Sequence, residues 1–387
     1  MSQLEPLAMQ FIVLLGIVSL FGDLTYEGAR SVAGPYLATL GASAAIVGLV
    51  AGIGEFSGYA LRLASGYLAD RTQAYWLLTF IGYGLLVSIP LLALAGNWQL
   101  AALFIILERV GKAIRSPARD TLLSYAAKGV GRGWGFAVHE ALDQIGAVIG
   151  PLVFSVVLLS YGGYREGFSV LWIPALLAIT ALAIARRKVP APQKLEAPGE
   201  EGREGDTDKL PRVFWLYTAF TLLSVAGFAN FQLISYHLKV QAIIPDAHIP
   251  IVYAVAMGVD AVAALVVGKA YDRIGLVSLL AVPLLTLPIP FLVFSYEYRR
   301  AVIGMVLWGT VMGMQETIMR AAIADLTPVA KRGFAYGLFN TAYGAGLLLG
   351  GAVMGLLYGL SINHVVLFIV VMTLVSVPLL LAVRREA

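Results

Sequence analysis

Two short stretches, Gly66-Tyr67-Leu68-Ala69-Asp70-Arg71 and Gly268-Lys269-Ala270-Tyr271-Asp272-Arg273, decide how this chain is built. Each closes a long apolar run, and they stand 202 residues apart. Two more pairs follow in the same order. Arg115-Ser116-Pro117-Ala118-Arg119-Asp120 returns as Arg320-Ala321-Ala322-Ile323-Ala324-Asp325, and Arg132-Gly133-Trp134 returns as Arg332-Gly333-Phe334, at offsets of 205 and 200 residues. One such match is chance; three in register point to duplicated halves. Between the halves lies a polar segment, 186–212, rich in Pro, Gly, Glu and Lys, which cannot bury a core and reads as a flexible linker. The expected organisation is an N-terminal bundle over 1–186, a cytoplasmic linker over 187–211 and a C-terminal bundle over 212–387.

The solvent of these halves follows from composition. The chain has 387 residues, 59% hydrophobic and 13% charged, with mean hydropathy +0.83. Soluble domains carry about 25% charged residues. Half that share leaves most of the surface unfit for water, so the expected solvent is lipid. A helix needs about 20 apolar residues to span it. The apolar runs are long and continuous, which argues for helices and against a β-barrel of alternating strands. Twelve spans are expected, at 9–40, 44–68, 75–95, 99–123, 133–159 and 168–185, then 213–238, 249–271, 276–296, 301–324, 333–360 and 364–383. The 41 glycines suit helices that approach closely in a membrane. The first run has no basic residue before it and no cleavage site after it, so it reads as a span and not a removable leader.

Charge in short loops sets the expected orientation. With the N-terminus inside, inside loops hold Arg71, Lys128, Arg132, Arg273, Lys331 and Arg332. The linker adds Arg186, Arg187 and Lys188, and the C-terminal end adds Arg384 and Arg385. Arg165 and Lys239 lie outside, and Arg299 with Arg300 breaks the pattern. The balance places both termini in the cytoplasm of a cell that holds the protein in its inner or plasma membrane. The net charge of +4 comes with no basic patch beside stacking aromatics, which argues against nucleic acid. No cysteine is present, so neither a disulfide frame nor a thiolate metal site exists. No Walker-type nucleotide loop occurs, so direct ATP drive is unsupported.

The twelve spans, the central linker and the Gly-x-x-x-Asp-Arg loops after the second and eighth spans resemble the major facilitator superfamily over essentially the whole chain. The loop at Gly268 fits the family motif well. The loop at Gly66 departs from it, with Gln73 where glycine is usual and no basic residues following. Asp23-Leu24-Thr25-Tyr26-Glu27, with Glu108-Arg109-Val110-Gly111-Lys112 and Arg115, Arg119 and Asp120, looks like a prokaryotic branch of that superfamily whose substrate is unsettled. The resemblance implies an all-α fold of two pseudo-symmetric six-helix bundles. It implies that spans 1, 4, 7 and 10 line a central cavity and that the loop motifs gate it. Gly66, Asp70, Arg71, Gly268, Asp272 and Arg273 are then gating residues. Arg119 or Arg115 would serve Asp70, and Arg320 would serve Asp272, with Asp120 and Asp325 beside them. A static capping role for the loops is the alternative.

Charge inside a span is costly and marks a cavity or a partner. Here the charges form stripes. Asp23, Glu27 and Arg30 share one face of the first span, as do Glu55, Tyr59 and Arg62 in the second. Glu108, Lys112, Arg115 and Arg119 fall within an arc of about 60° in the fourth, and His139, Glu140 and Asp143 within about 100° in the fifth. Glu316 and Arg320 are one turn apart in the tenth. Glu55, Glu108 and Asp143 each lie roughly ten residues into their span, near the midplane.

A buried carboxylate can take up and release a proton near neutral pH. The expected proton-coupling residues are therefore Asp23, Glu27, Glu55, Glu108 and Asp143. The expected solute cavity adds Arg30, Arg109, Lys112, Arg115, His139, Glu140, Asn230, Gln232, His237, Glu316, Asn340 and Tyr343. Permanent pairing of these acids and bases, fixing only helix packing, is the alternative. Gly146-Ala147-Val148-Ile149-Gly150-Pro151 resembles part of a proton-antiporter signature but lacks its later glycine pair. Small-x-x-x-small spacing serves helix packing equally well, and Gly346 with Gly350 repeats it without the proline.

The expected activity is secondary active transport of a small solute, proton-coupled, with export preferred. Uptake of an anionic nutrient by Arg109, Lys112 and Arg115 is the second reading. A non-transporting receptor or scaffold is a third. No nucleophile–base pair marks an enzyme, and no cofactor beyond the proton gradient and no metal is expected. The partners are the bilayer, protons and a small molecule, and the protein is expected to be a monomer.

Overall fold

The structure is a computed structural model and describes residues 4–195, 210–327 and 332–386. Most of the linker, 196–209, and Lys331 lie outside the described residues, as do the side chains of Lys128, Arg132 and Arg332. All regular structure in the described residues is helical. In hydrocarbon every backbone N–H and C=O must find its partner within the protein, and a helix does this within one segment.

The chain runs through α1 (Leu4–Arg30), α2 (Ala33–Thr39), α3 (Ala44–Thr72), α4 (Tyr75–Gly84), α5 (Trp98–Val130), α6 (Arg132–Tyr161), α7 (Tyr164–Val170) and α8 (Trp172–Lys188). After the linker come α9 (Arg212–Ala226), α10 (Phe231–Val240), α11 (Ile249–Ile274), α12 (Ala281–Thr286), α13 (Ile289–Val293), α14 (Tyr298–Leu326), α15 (Arg332–Leu360) and α16 (Ile362–Glu386). Among the described residues, ten stretches are long and apolar enough to cross a membrane. One of them, Asp246–Val293, is long enough to hold the eighth and ninth spans together. The fourth span, α5, is less apolar than these because Glu108, Arg109, Lys112, Arg115 and Arg119 all lie on it.

Several expected spans are broken, and each break has a cause in the sequence. The run expected over 9–40 stops at Arg30 and restarts at Ala33. Pro35, with no N–H to donate, fits the first turn of the new helix α2. The seventh span breaks over 227–230. There Asn230 caps α10 by accepting the Leu233 N–H at 2.9 Å. Trp308 Nε1 donates to the Ala229 carbonyl at 2.8 Å. In the third and ninth spans Pro90, Pro288 and Pro290 coincide with short 3₁₀ and α-helical pieces. Between α5 and α6, Gly131 takes φ 97°, a conformation that favours glycine.

The contacts group the chain into two compact units, Met1–Arg30 with Ala60–Glu201, and Ser31–Tyr59 with Gly202–Ala387. The segment Ser31–Tyr59 thus goes with the second unit, although the sequence boundary assigns it to the N-terminal half. In the first unit α1 packs along α6 and α8, and α4 along α5. In the second, α9 packs along α15 and α16, and α13 along α14. These are equivalent spans, so the duplication read from the motifs recurs in the packing of each unit.

The closest seams are lined by glycine. A Cβ at Gly150 would stand 2.9 Å from the Gly28 backbone nitrogen and would run into the Leu24 carbonyl. At Gly346 it would come within 2.8 Å of the Leu222 carbonyl oxygen, and at Gly350 it would press on Ala226. Gly146-x-x-x-Gly150 and Gly346-x-x-x-Gly350 therefore do the same packing work in the two units. In the second unit the first half of α3 lies on α15, where a Cβ at Gly52 would come within 2.9 Å of Leu348 Cα.

Candidate functional site

The first unit gathers charge in its interior from α1, α5 and α6. Asp23 and Asp143 lie near each other across the α1–α6 seam, close enough for their charges to act on one another, and Asp143 Oδ1 is buried with no hydrogen-bond partner among the described residues. Lys112 and Arg119 lie close enough to act on both. Asp23 is 8% exposed and Asp143 is half-buried, so the pair is withdrawn from solvent mainly on the Asp23 side. The α1–α6 glycine seam brings the two helices close enough to hold the pair together.

One turn away, Arg119 donates to Ser19 Oγ at 2.8 Å and holds Asp120 Oδ1 through Nε at 3.0 Å and a second nitrogen at 2.9 Å. Ser19 Oγ also meets His139 Nε2 at 3.0 Å and the Tyr83 hydroxyl at 3.4 Å. His139 thus points to α1. Among the described residues no group of three or more His, Cys, Asp or Glu is placed to hold a metal ion. Glu140, beside it, is exposed and accepts from Gln144 Nε2 at 3.4 Å.

Glu108 and Arg115 form a buried pair on α5 at 3.0 Å. Arg115 also donates to the Gly82 carbonyl at 3.3 Å, and its guanidinium lies 4.9 Å from the centre of the Tyr83 ring. The second Glu108 oxygen has no hydrogen-bond partner among the described residues, and Arg109 Nε stands 4.0 Å away from it. Arg115, expected in the solute cavity, is instead tied into the α4–α5 contact. Its reach is set by Gly82 and Gly111, which let the two backbones meet.

Tyr26 is the residue that the sequence reading missed. Arg109 lies 4.1 Å, Lys112 4.5 Å and Arg30 5.8 Å from the centre of its ring. Its hydroxyl is buried with no hydrogen-bond partner among the described residues. The ring face attracts cations, so one tyrosine gathers three of them on one site. Glu27 lies 3.5 Å from Arg30 on the same helix. Tyr26 stands between Asp23 and Glu27 in the sequence, and an aromatic there reads as packing until its neighbours are seen. Ser19 gave no signal at all.

In the second unit the polar groups are mostly uncharged. The Tyr343 hydroxyl donates to Gln315 Oε1 at 3.0 Å, and its ring meets Tyr59 at 4.9 Å with the planes tilted by 51°. Glu55, Glu316 and Arg320 lie close enough to act on Tyr343. Gln315 is 1% exposed, more deeply buried than its charged neighbour Glu316, which is half-buried. Asn230 serves as the cap of α10, and Gln232 is buried with its Oε1 lacking a partner among the described residues. Asn340 is half-buried on α15. His237 is fully buried and bonds through Nδ1 to the Tyr358 hydroxyl at 2.9 Å.

The expected gating residues lie at helix ends. Asp70 and Asp272 are exposed, as are Arg71 and Arg273. Asp70 accepts from the Tyr75 hydroxyl at 3.4 Å, while Arg115 and Arg119 are held by Glu108 and Asp120. In the second unit Tyr271, next to Asp272, donates to Asp325 at 2.6 Å, and Tyr336 donates to the Arg320 carbonyl at 3.2 Å. Gly66 lies against Pro117 at 3.6 Å and Gly268 against Thr317 at 3.5 Å, each counted from a Cβ that glycine lacks.

A family model described as Major Facilitator Superfamily matches residues 15–319 and 244–387. The chain belongs to the Major Facilitator Superfamily. An uncharacterized protein of Mycobacterium tuberculosis is 42% identical over 97% of this chain and 93% of its own length. An uncharacterized transporter of the same superfamily from Methanocaldococcus jannaschii is 26% identical over 96% of this chain and 94% of its own. Among solved structures, the nucleoside transporter NupG matches with TM-score 0.72 at 17% identity, over 97% of this chain and 98% of that one. At that identity the likeness concerns the fold. This member of the Major Facilitator Superfamily is therefore a multi-pass membrane protein and a secondary transporter, not an enzyme.

Proposed function

We propose that the protein is a proton-coupled exporter of a small organic solute, working by alternating access as a monomer with both termini in the cytoplasm of a cell membrane. The observation that carries the reading is the neighbouring pair Asp23 and Asp143. Two carboxylates at that spacing repel, and one proton shared between them removes the repulsion. Lys112 and Arg119 stand ready to neutralise the pair once the proton has left. A proton taken up from one side and released to the other is the currency of antiport, and no further cofactor enters. Glu27, Glu55 and Glu108 have basic or aromatic neighbours and serve as secondary acids in this reading.

Reconstitution into liposomes tests it. With an imposed pH gradient, a panel of labelled organic solutes should include one that moves against its own gradient. Asp23→Asn should abolish that driven movement while leaving solute exchange intact. Driven transport that persists in Asp23→Asn and Asp143→Asn alike would sink the proton role of the pair.

A second reading, proton-coupled uptake of an anionic nutrient, is favoured by Arg109 and Lys112 meeting on the Tyr26 ring. Transport of an organic anion down the proton gradient into the vesicle interior, in place of efflux, distinguishes it.

A further inference from the structure

The second unit contains a cavity that the carboxylate pair does not use. It has a volume of about 670 Å³ and lies where α10 ends, α13 ends and α15 turns into α16. Since α11 starts beside the end of α10 and carries Asp272 near its far end, this cavity sits at the opposite end of the unit from the Gly-x-x-x-Asp-Arg loop. Its size is within the range of sites for drug-sized molecules.

The walls are apolar, with four aromatic rings beside Pro290, Leu360, Ile362 and Val366. Phe291 and Phe294 come from α13 and the residue following it, Tyr296 from the next turn, and Tyr358 from α15. Tyr358 is held in place by its bond to the buried His237, whose ring also meets Phe294 edge-on at 5.4 Å and Tyr296 at 5.9 Å. Phe294 and Tyr358 are therefore fixed against His237, while Phe291 and Tyr296 form the open side of the cavity, 60% and 70% exposed. Gln241, Ser361 and Asn363 add amide and hydroxyl groups at the rim. Among the described residues that line the cavity there is no Asp, Glu, Lys or Arg.

We infer that this cavity binds an uncharged amphiphile with an aromatic body and a hydrogen-bonding group. The body packs on Phe291, Phe294, Tyr296 and Tyr358, where offset or edge-on ring contacts are favourable. The polar group reaches Gln241 and Asn363. A charged ligand finds no counter-ion there and loses its hydration. A plain acyl chain leaves the rim amides without a role. The site stands apart from the proton reading, so it can fail or hold independently of Asp23 and Asp143.

Photolabelling of the full chain in lipid nanodiscs with 4-(hydroxymethyl)benzophenone tests the inference. Labelling should saturate and map to peptides holding residues 289–296 and 358–366. An excess of a neutral aromatic alcohol should compete, and 4-benzoylbenzoate should not. Phe291→Ala and Asn363→Leu alter side chains that reach solvent, so both variants should fold, and each should raise the half-saturating concentration about fivefold or more. Labelling that rises linearly with probe and spreads equally along the lipid-facing side of α16 overturns the inference, because the cavity then only takes up membrane lipid. Equal competition by the carboxylate, or unchanged saturation in both variants, overturns it as well.

Discussion

Arg115 Nη2 meets Glu108 Oε1 at 3.0 Å, with side-chain exposures of 2% and 1%. Two charges so deeply withdrawn are held by each other, by the Gly82 carbonyl and by the Tyr83 ring. Their spacing, seven residues on one helix, puts them two turns apart on one face. The pair therefore spans α5 internally while also fastening α4.

Removing one partner leaves the other buried and unpaired, which costs about 3–5 kcal/mol. Glu108→Ala and Arg115→Ala are each expected to lower the melting temperature of the detergent-solubilised protein sharply. The double variant Glu108→Leu with Arg115→Met should recover most of that loss, since paired apolar replacement is often neutral. A double variant no more stable than either single one would show that the two residues act separately.

Gly150 sets the distance between α1 and α6. Any side chain there presses on the Leu24 carbonyl and the Gly28 backbone. Gly150→Val should cost about 1–3 kcal/mol through overpacking. It should also separate Asp23 from Asp143, so driven transport should fall more than solute exchange. Parallel loss of both would mean that the glycine serves stability alone.

Tyr26 binds its three cations through the ring face, since its hydroxyl has no hydrogen-bond partner among the described residues. Tyr26→Phe is expected to change stability by less than about 0.5 kcal/mol. Tyr26→Leu removes the quadrupole and should cost about 1–2 kcal/mol. Thermal unfolding of both variants in the same detergent measures the difference, and equal melting points would discount the cation contacts.

The fold was legible because its signals are collective. Long apolar runs, the recurrence of Asp70-Arg71 as Asp272-Arg273 and the linker each needed no knowledge of contacts. The break in the seventh span was less visible. Asn230 reads equally as a cavity residue and as a helix cap, and the bonds from Leu233 N–H to its side chain and from Trp308 to the Ala229 carbonyl decide for the cap and fix the break. The charged site was legible as a set of residues and not as a set of partners. Helical periodicity places Arg115 and Arg119 on the face of α5 that holds Glu108, but it does not say which acid each one takes. Arg119 turns to Asp120 and Ser19, and Asp70 is left with Tyr75. Tyr26 and Gln315 stayed hidden because each stands next to an acid, Glu27 and Glu316, whose charge marks the segment first, and only the contacts show that the uncharged neighbour is a buried partner.

The most direct measurement of proton coupling through Asp23 and Asp143 is the internal pH of proteoliposomes carrying a trapped pH-sensitive dye, recorded when a transported solute is added. In the wild-type protein, solute should drive a proton flux in the opposite direction. Asp23→Asn and Asp143→Asn should each leave the solute exchanging while the dye stays silent. A proton flux of wild-type size in both variants would contradict the carboxyl pair as the coupling site.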